Sequence, residues 1–178
     1  MSEIIFKDLN IKHHLKKGIK HSYIKVDRDS NITLKTPKVS KLYIDSLLKE
    51  KEGWIRKQLL KNINNPPIYL TLEGIDSKQN KEYLAGKIEY FSSVMNLSCR
   101  ELKFRKMKSR WGSCNSKGVI TLNKKLIKTP EICIDYVVIH ELAHLKYLNH
   151  SKKFHTFVDR FCPNSQEARD ILSRVVFI

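Results

Sequence analysis

The sequence predicts an α+β fold, on three observations. Short runs of alternating residues open the chain, two long stretches of helical spacing follow, and a pair of strand-like runs precedes a helix apolar on most of its circumference. With 178 residues there is room for one domain with a sizeable core, or for two small lobes.

In order along the chain, Ile4-Ile5-Phe6, Ser22-Tyr23-Ile24-Lys25-Val26 and Asn31-Ile32-Thr33-Leu34-Lys35 read as short strands. Asp27-Arg28-Asp29-Ser30 is the turn between the last two, so the N-terminal part is a small β-meander. From Ser40 to about Asn62, Ile44, Leu47, Leu48, Trp54, Ile55 and Leu59 recur at helical spacing among Lys and Glu, which makes Trp54 a core anchor. Asn64-Asn65-Pro66-Pro67 cannot continue a helix and marks a connection. The division is therefore a β-rich lobe with its helix at 1–67 and a core at 68–178, compatible with one compact domain.

A helix is expected from about Ser77 to Asn96, with Tyr83, Leu84, Ile88, Phe91, Val94 and Met95 as its buried side. Strands follow at Leu102-Lys103-Phe104-Arg105-Lys106 and Gly118-Val119-Ile120-Thr121-Leu122, separated by turn formers at Trp111 to Lys117. They form the β-hairpin expected to flank the next helix, where its edge could pair with an extended peptide. That helix starts at Thr129-Pro130-Glu131, with Thr129 as N-cap and Pro130 at the first helical position.

Inside it lies His140-Glu141-Leu142-Ala143-His144. Residues four apart share a helix face, so the two imidazoles can converge on one Zn2+, with Glu141 placed to accept a proton from water. Independent placement of histidine and glutamate would give this pattern in roughly one or two chains per hundred. Ile132, Ile134, Val137, Val138, Ile139, Leu142 and Leu145 surround it with apolar residues, and ionisable groups there need partners. A metal is one such partner. Two histidines satisfied by ordinary hydrogen bonds are the plainer alternative.

A catalytic zinc takes three protein ligands. His150 is favoured, because Asn149 and Ser151 suggest a turn that swings it back. The other options are His155, readable as a half-buried histidine on the next helix, and Glu167, readable as the acid of a capping box begun by Asn164. The spacing of His140, His144 and His150 equals that of the metzincins, but Tyr147 stands where their glycine would be and no methionine follows Met107.

Met107-Lys108-Ser109-Arg110-Trp111-Gly112-Ser113-Cys114, Leu122-Asn123, Asp135 to Leu145 and Asn149 to Phe154 together resemble the YgjP-like metallopeptidase domain and, more distantly, SprT-like proteases. The resemblance implies a zincin-like metallohydrolase core with an active-site helix and flanking hairpin, His140, His144 and His150 as zinc ligands, and Glu141 as the catalytic acid and base. Its expected tryptophan is His155 here. Arg110, Ser113 and Asn123 lie in or near the family-like loop and are candidates to support the site or to contact substrate.

The net charge of +16 suggests a polyanionic partner, whether nucleic acid, an acidic protein or a phosphorylated substrate. Basic residues cluster at His13 to Lys17, Arg105 to Arg110 and Lys124-Lys125, although no nucleic-acid recognition motif accompanies them and a solvated face has the same composition. Cys99, Cys114, Cys133 and Cys162 lack Cys-x-x-Cys spacing and read as reduced structural thiols. Without a signal peptide or a long apolar run, a cytoplasmic protein is expected. The leading expectation is a small soluble zinc metallopeptidase acting on a peptide or protein. A metal-dependent nucleotide phosphohydrolase and a basic nucleic-acid-binding protein with structural zinc are the alternatives.

Overall fold

A computed structural model of the chain describes residues 2–178. They form two compact units, one running to Pro67 and the other from Ile68 to Ile178. Each has its own hydrophobic core. No helix among the described residues is long and apolar enough to cross a membrane.

The first unit holds strands β1 (Ser2–Phe6), β2 (Leu9–Leu15), β3 (Tyr23–Val26) and β4 (Ile32–Thr36) in the order β1-β2-β4-β3. Two hairpins lie side by side, joined by a parallel pairing of β2 with β4. β2 is not evident in the sequence, because the charge cluster His13-His14-Leu15-Lys16-Lys17 masks the inward alternation of Leu9 and Ile11. Helix α1 (Lys41–Asn64) starts at Ser40, whose hydroxyl accepts from the Tyr43 N–H at 3.2 Å. It buries Ile44, Leu48 and Ile55 with Leu9, Ile11, Ile32 and Leu34. Trp54 is not the expected anchor. It is 43% exposed, because neighbouring residues on a helix differ by about 100° and Ile55 occupies the core stripe.

The second unit is built around α3 (Glu131–Ala143). Helices α2 (Lys78–Met95), α4 (Lys152–Phe161) and α5 (Ser165–Arg174) pack on it. Nine of its residues are buried, as the apolar composition requires. Its exposed start carries Glu131, which joins Asp135 in holding Lys87 of α2; the Asp135 contact is 2.8 Å. Burial opposes the Lys87 charge, yet these carboxylates hold its pKa above the ordinary lysine value. Helix α2 begins at the Ser77 cap and ends at Asn96 in the left-handed conformation. Its buried side is Leu84, Ile88, Phe91 and Met95, while Tyr83 and Val94, expected inside, are 43% and 50% exposed. The buried stripe is narrower than the sequence suggested.

Strands β6 (Glu101–Arg105), β7 (Gly112–Cys114) and β8 (Val119–Asn123) form a sheet in the order β6-β8-β7. β6 runs parallel to β8 and is not its hairpin partner. The hairpin at the helix is β7 with β8, made from the segment that composition had marked as turn. Strands β5 (Ile68–Leu70) and β9 (Val175–Phe177) pair in parallel. Two caps also differ from expectation. Thr129 donates its hydroxyl to the Leu126 carbonyl at 2.7 Å, closing the preceding 3-10 turn, and does not cap α3. Asn164 makes no side-chain cap at α5, so the capping box proposed for Glu167 does not form.

Candidate metal centre and catalytic carboxylate

His140 lies in the last turn of α3, and His144 closes the helix as its C-cap. The Tyr147 N–H still bonds the Ala143 carbonyl at 2.9 Å, after which the chain turns at Leu148-Asn149. Ser151 caps α4 by accepting from the Phe154 N–H at 3.4 Å. The chain between these two helix ends carries His150 back to the first two histidines.

The Nε2 atoms meet at one point: His150 Nε2 lies 3.1 Å from that of His140 and 3.2 Å from that of His144. These three residues form a cluster able to hold a metal ion. The chemistry of the donors tests the fit. His144 Nδ1 faces the Tyr147 carbonyl at 3.0 Å, which only accepts, so Nδ1 carries the proton and Nε2 presents a lone pair. His140 Nδ1 lies 3.3 Å from the Tyr136 hydroxyl. Burial lowers the His140 pKa to about 3, aided by the neighbouring histidines, and burial also lowers that of His144. Both shifts favour the neutral form of the ring, which is the form that ligates a metal. His144 Nε2 thus turns a lone pair toward His150 Nε2, and a cation placed between the rings would be served by all three nitrogens. Tetrahedral ligands about 2.0–2.1 Å from zinc stand roughly 3.3 Å apart, close to the spacing seen.

Phe154, fully buried, forms the apolar floor with its ring centroid 4.9 Å from His140, 4.6 Å from His144 and 4.9 Å from His150. His155 is outside the cluster and stacks on His150 at 6.1 Å. Glu167, in the first turn of α5, is also outside it. Cys114 is no thiolate donor, since burial and the adjacent Glu141 push its thiol up to about 11.

Glu141 points from α3 toward β7 and is 6% exposed. Its room exists only because residue 112 is glycine: a Cβ there would lie 2.6 Å from the Glu141 Cγ and from its Oε1. Burial raises the carboxyl pKa to about 7, and the charge of Arg110 pulls it back down. Ser113 carries its side chain on the opposite face of β7 from Gly112, as alternation demands. Asn123 is 3% exposed and bound to the 107–110 loop. Its Nδ2 donates to the carbonyls of Met107 (2.9 Å) and Arg110 (2.7 Å), and its Oδ1 accepts from Met107 N–H (3.3 Å) and Lys125 N–H (3.2 Å). It is a staple for the loop, with its hydrogen-bonding capacity used there. Gly112, Phe154 and Tyr136 went unnoticed in sequence as site residues. Only Gly112 had a signal, being a glycine in a strand next to a buried acid.

β7 is an edge strand. Asn123 N–H bonds Trp111 O and Asn115 N–H bonds Val119 O, so the odd-numbered residues face β8. Gly112 and Cys114 then turn their main-chain N–H and C=O groups to the free edge.

Histidines, a buried carboxylate and a free strand edge are the kinds of group that a metal-dependent hydrolase uses. The model of the YgjP-like metallopeptidase domain matches residues 68–175, more than half of the chain, and the chain belongs to that family. Similar solved structures include the metallopeptidase zymogen abylysin of Pyrococcus abyssi, at 27% identity over 51% of this chain and 90% of that one, with a TM-score of 0.45. The zymogen jannalysin of Methanocaldococcus jannaschii shares 20% identity over 51% and 91%, TM-score 0.43. A mutant of Wss1 from Saccharomyces cerevisiae shares 19% over 59% and 94%, TM-score 0.42. No protein of curated function matches the chain.

Proposed function

We propose that the chain is a zinc metallopeptidase in which His140, His144 and His150 hold the ion and Glu141 moves the proton. The observation that carries this reading is the convergence of three Nε2 atoms, two of them 3.1 and 3.2 Å from the third, beside a buried carboxylate. A zinc ion held by these nitrogens would supply Lewis acidity, making water acidic enough to attack at neutral pH and polarising the scissile carbonyl.

The protein's own groups do the rest. The Tyr147 carbonyl fixes the tautomer and ring plane of His144, and Phe154 keeps water from beneath the three rings. Glu141 Oε1 accepts the proton of the attacking water and returns it to the leaving amine. The Arg110 charge offsets burial and favours the ionised, proton-accepting carboxylate. An extended peptide adds to the β7 edge through main-chain bonds with Gly112 and Cys114, which sets its scissile bond beside Glu141. Asn123 holds the preceding loop in place for that docking.

The test is metal content. Purified chain should carry about one zinc, and His144→Ala should release most of it, because two ligands cannot hold the ion as three do. Full occupancy in the variant would remove His144 from the ligand set.

A further inference from the structure

We propose that a cavity next to the β7 edge is a specificity subsite for an acidic side chain of the peptide substrate, read by Lys108, Arg110 and Lys125; this rests on the metallopeptidase reading. The cavity measures about 190 Å³ and is lined by these three cations, with Trp111, Val175 and Phe177 among its apolar walls. Small-molecule pockets run to roughly 300–1,000 Å³, so this one suits a single side chain.

Its place along the strand ties it to the chemistry. Arg110 and Trp111 immediately precede Gly112, which abuts Glu141, and a strand advances only about 3.3 Å per residue. Arg110 lines the cavity and stands two residues before Gly112, against which the Glu141 side chain packs. A peptide lying on the β7 edge would pass the cavity within a residue or two of its scissile bond.

The charge distribution selects the ligand. Lys106 and Lys124 share one carboxylate, Asp76, at 2.7 and 2.6 Å, which engages both ammonium groups and offsets one of their two charges. Lys108, Arg110 and Lys125 make no ion pair with a carboxylate among the described residues. Lys125 Nζ instead sits 4.6 Å from the centroid of the Phe177 ring, which itself meets Trp111 at 5.7 Å. Three unpaired cations above an apolar wall fit a methylene stem ending in a carboxylate. The rim is preformed, because Asn123 binds the carbonyls of Met107 and Arg110.

The experiment uses short neutral peptides bearing one glutamate, moved position by position, each paired with a glutamine twin. One position should favour glutamate by about tenfold or more in kcat/KM. That ratio should fall toward one in Lys108→Gln/Lys125→Gln and with added salt, and persist in Lys117→Gln, which alters the β7–β8 turn. A second readout needs no turnover: in Glu141→Gln carrying Trp54→Phe, Trp111 fluorescence is titrated with the preferred glutamate peptide and its twin. The same ratio should appear in Kd. If no peptide is cleaved but Trp111 still discriminates the twins, the peptidase reading fails and the subsite stands. If peptides are cleaved and the twins are equal in rate and Kd at every position, the subsite is overturned while the peptidase stands. A Trp111 response to a nucleoside triphosphate, without discrimination between the twins, also overturns it.

Discussion

His150 and His155 are five residues apart, and one turn of chain decides which of them joins the site. His150 lies just before the Ser151 cap, where the backbone is free to turn inward, whereas His155 is fixed on α4 and reaches only the outer face of the His150 ring. His150→Ala should therefore weaken zinc binding by at least about a hundredfold, as for a lost ligand, and His155→Ala by far less. Competition with a chromogenic chelator measures both; equal losses would put His155 in the ligand set. Gly112 is the other decisive residue. Gly112→Ala places a methyl group on the Glu141 carboxylate, so stability should drop by about 1–3 kcal/mol and hydrolysis should suffer beyond what zinc content explains. Denaturant melts and a zinc assay on the same samples check it. The two outer histidines had symmetrical claims in the sequence apart from the turn signal at Asn149 and Ser151. The contribution of Phe154 was invisible there, because a phenylalanine on an apolar helix face reads as core.

At the scale of elements, α3 shows why sequence served well in one place and poorly in another. Its apolar run, the Pro130 start and the four-residue spacing of the histidines are local properties, and they marked the start of the helix to within a residue, while Leu145, expected on it, lies beyond its end at Ala143. The sheet beside it depends on which strands meet. β6 and β8 have nearly equal claims as hairpin partners in sequence, but β8 takes β6 in parallel and leaves β7, rich in turn formers, as the edge. Short strands are decided by such tertiary pairing. The loop leading to β7 is anchored by Asn123, so Asn123→Ala should cost about 2–4 kcal/mol by stranding buried loop carbonyls and amides. It should also raise KM for peptide while zinc stays bound. The Asp76 pairs give a pH-dependent counterpart. Lys106 and Lys124 hold the Asp76 carboxyl down at about 2, below its usual value near 4. A depressed carboxyl stabilises fully above the unfolded value and loses that contribution as pH falls through the folded one. The Tm difference between wild type and Asp76→Asn should be steady above about pH 4 and shrink between about pH 4 and pH 2. A difference unchanged across that window would contradict the pairing.

For the molecule as a whole, the two cores share no residue, and every member of the proposed site lies beyond Ile68. Pro66-Pro67 follows the end of α1 at Asn64, since proline cannot continue a helix whatever the tertiary context. Residues 68–178 expressed alone should fold cooperatively and bind about one zinc, with thermal unfolding shifted upward by the metal. Failure to fold would mean that the first 67 residues complete the core. If a three-histidine zinc centre works with Glu141 as its proton acceptor, the decisive comparison is cleavage of an unstructured protein by wild type and Glu141→Gln, each analysed for zinc. Glu141 as proton acceptor requires equal metal in both and a loss of about 10²- to 10⁴-fold in the rate for the variant, since an amide cannot accept the proton. Wild-type turnover by a zinc-loaded Glu141→Gln protein would contradict it.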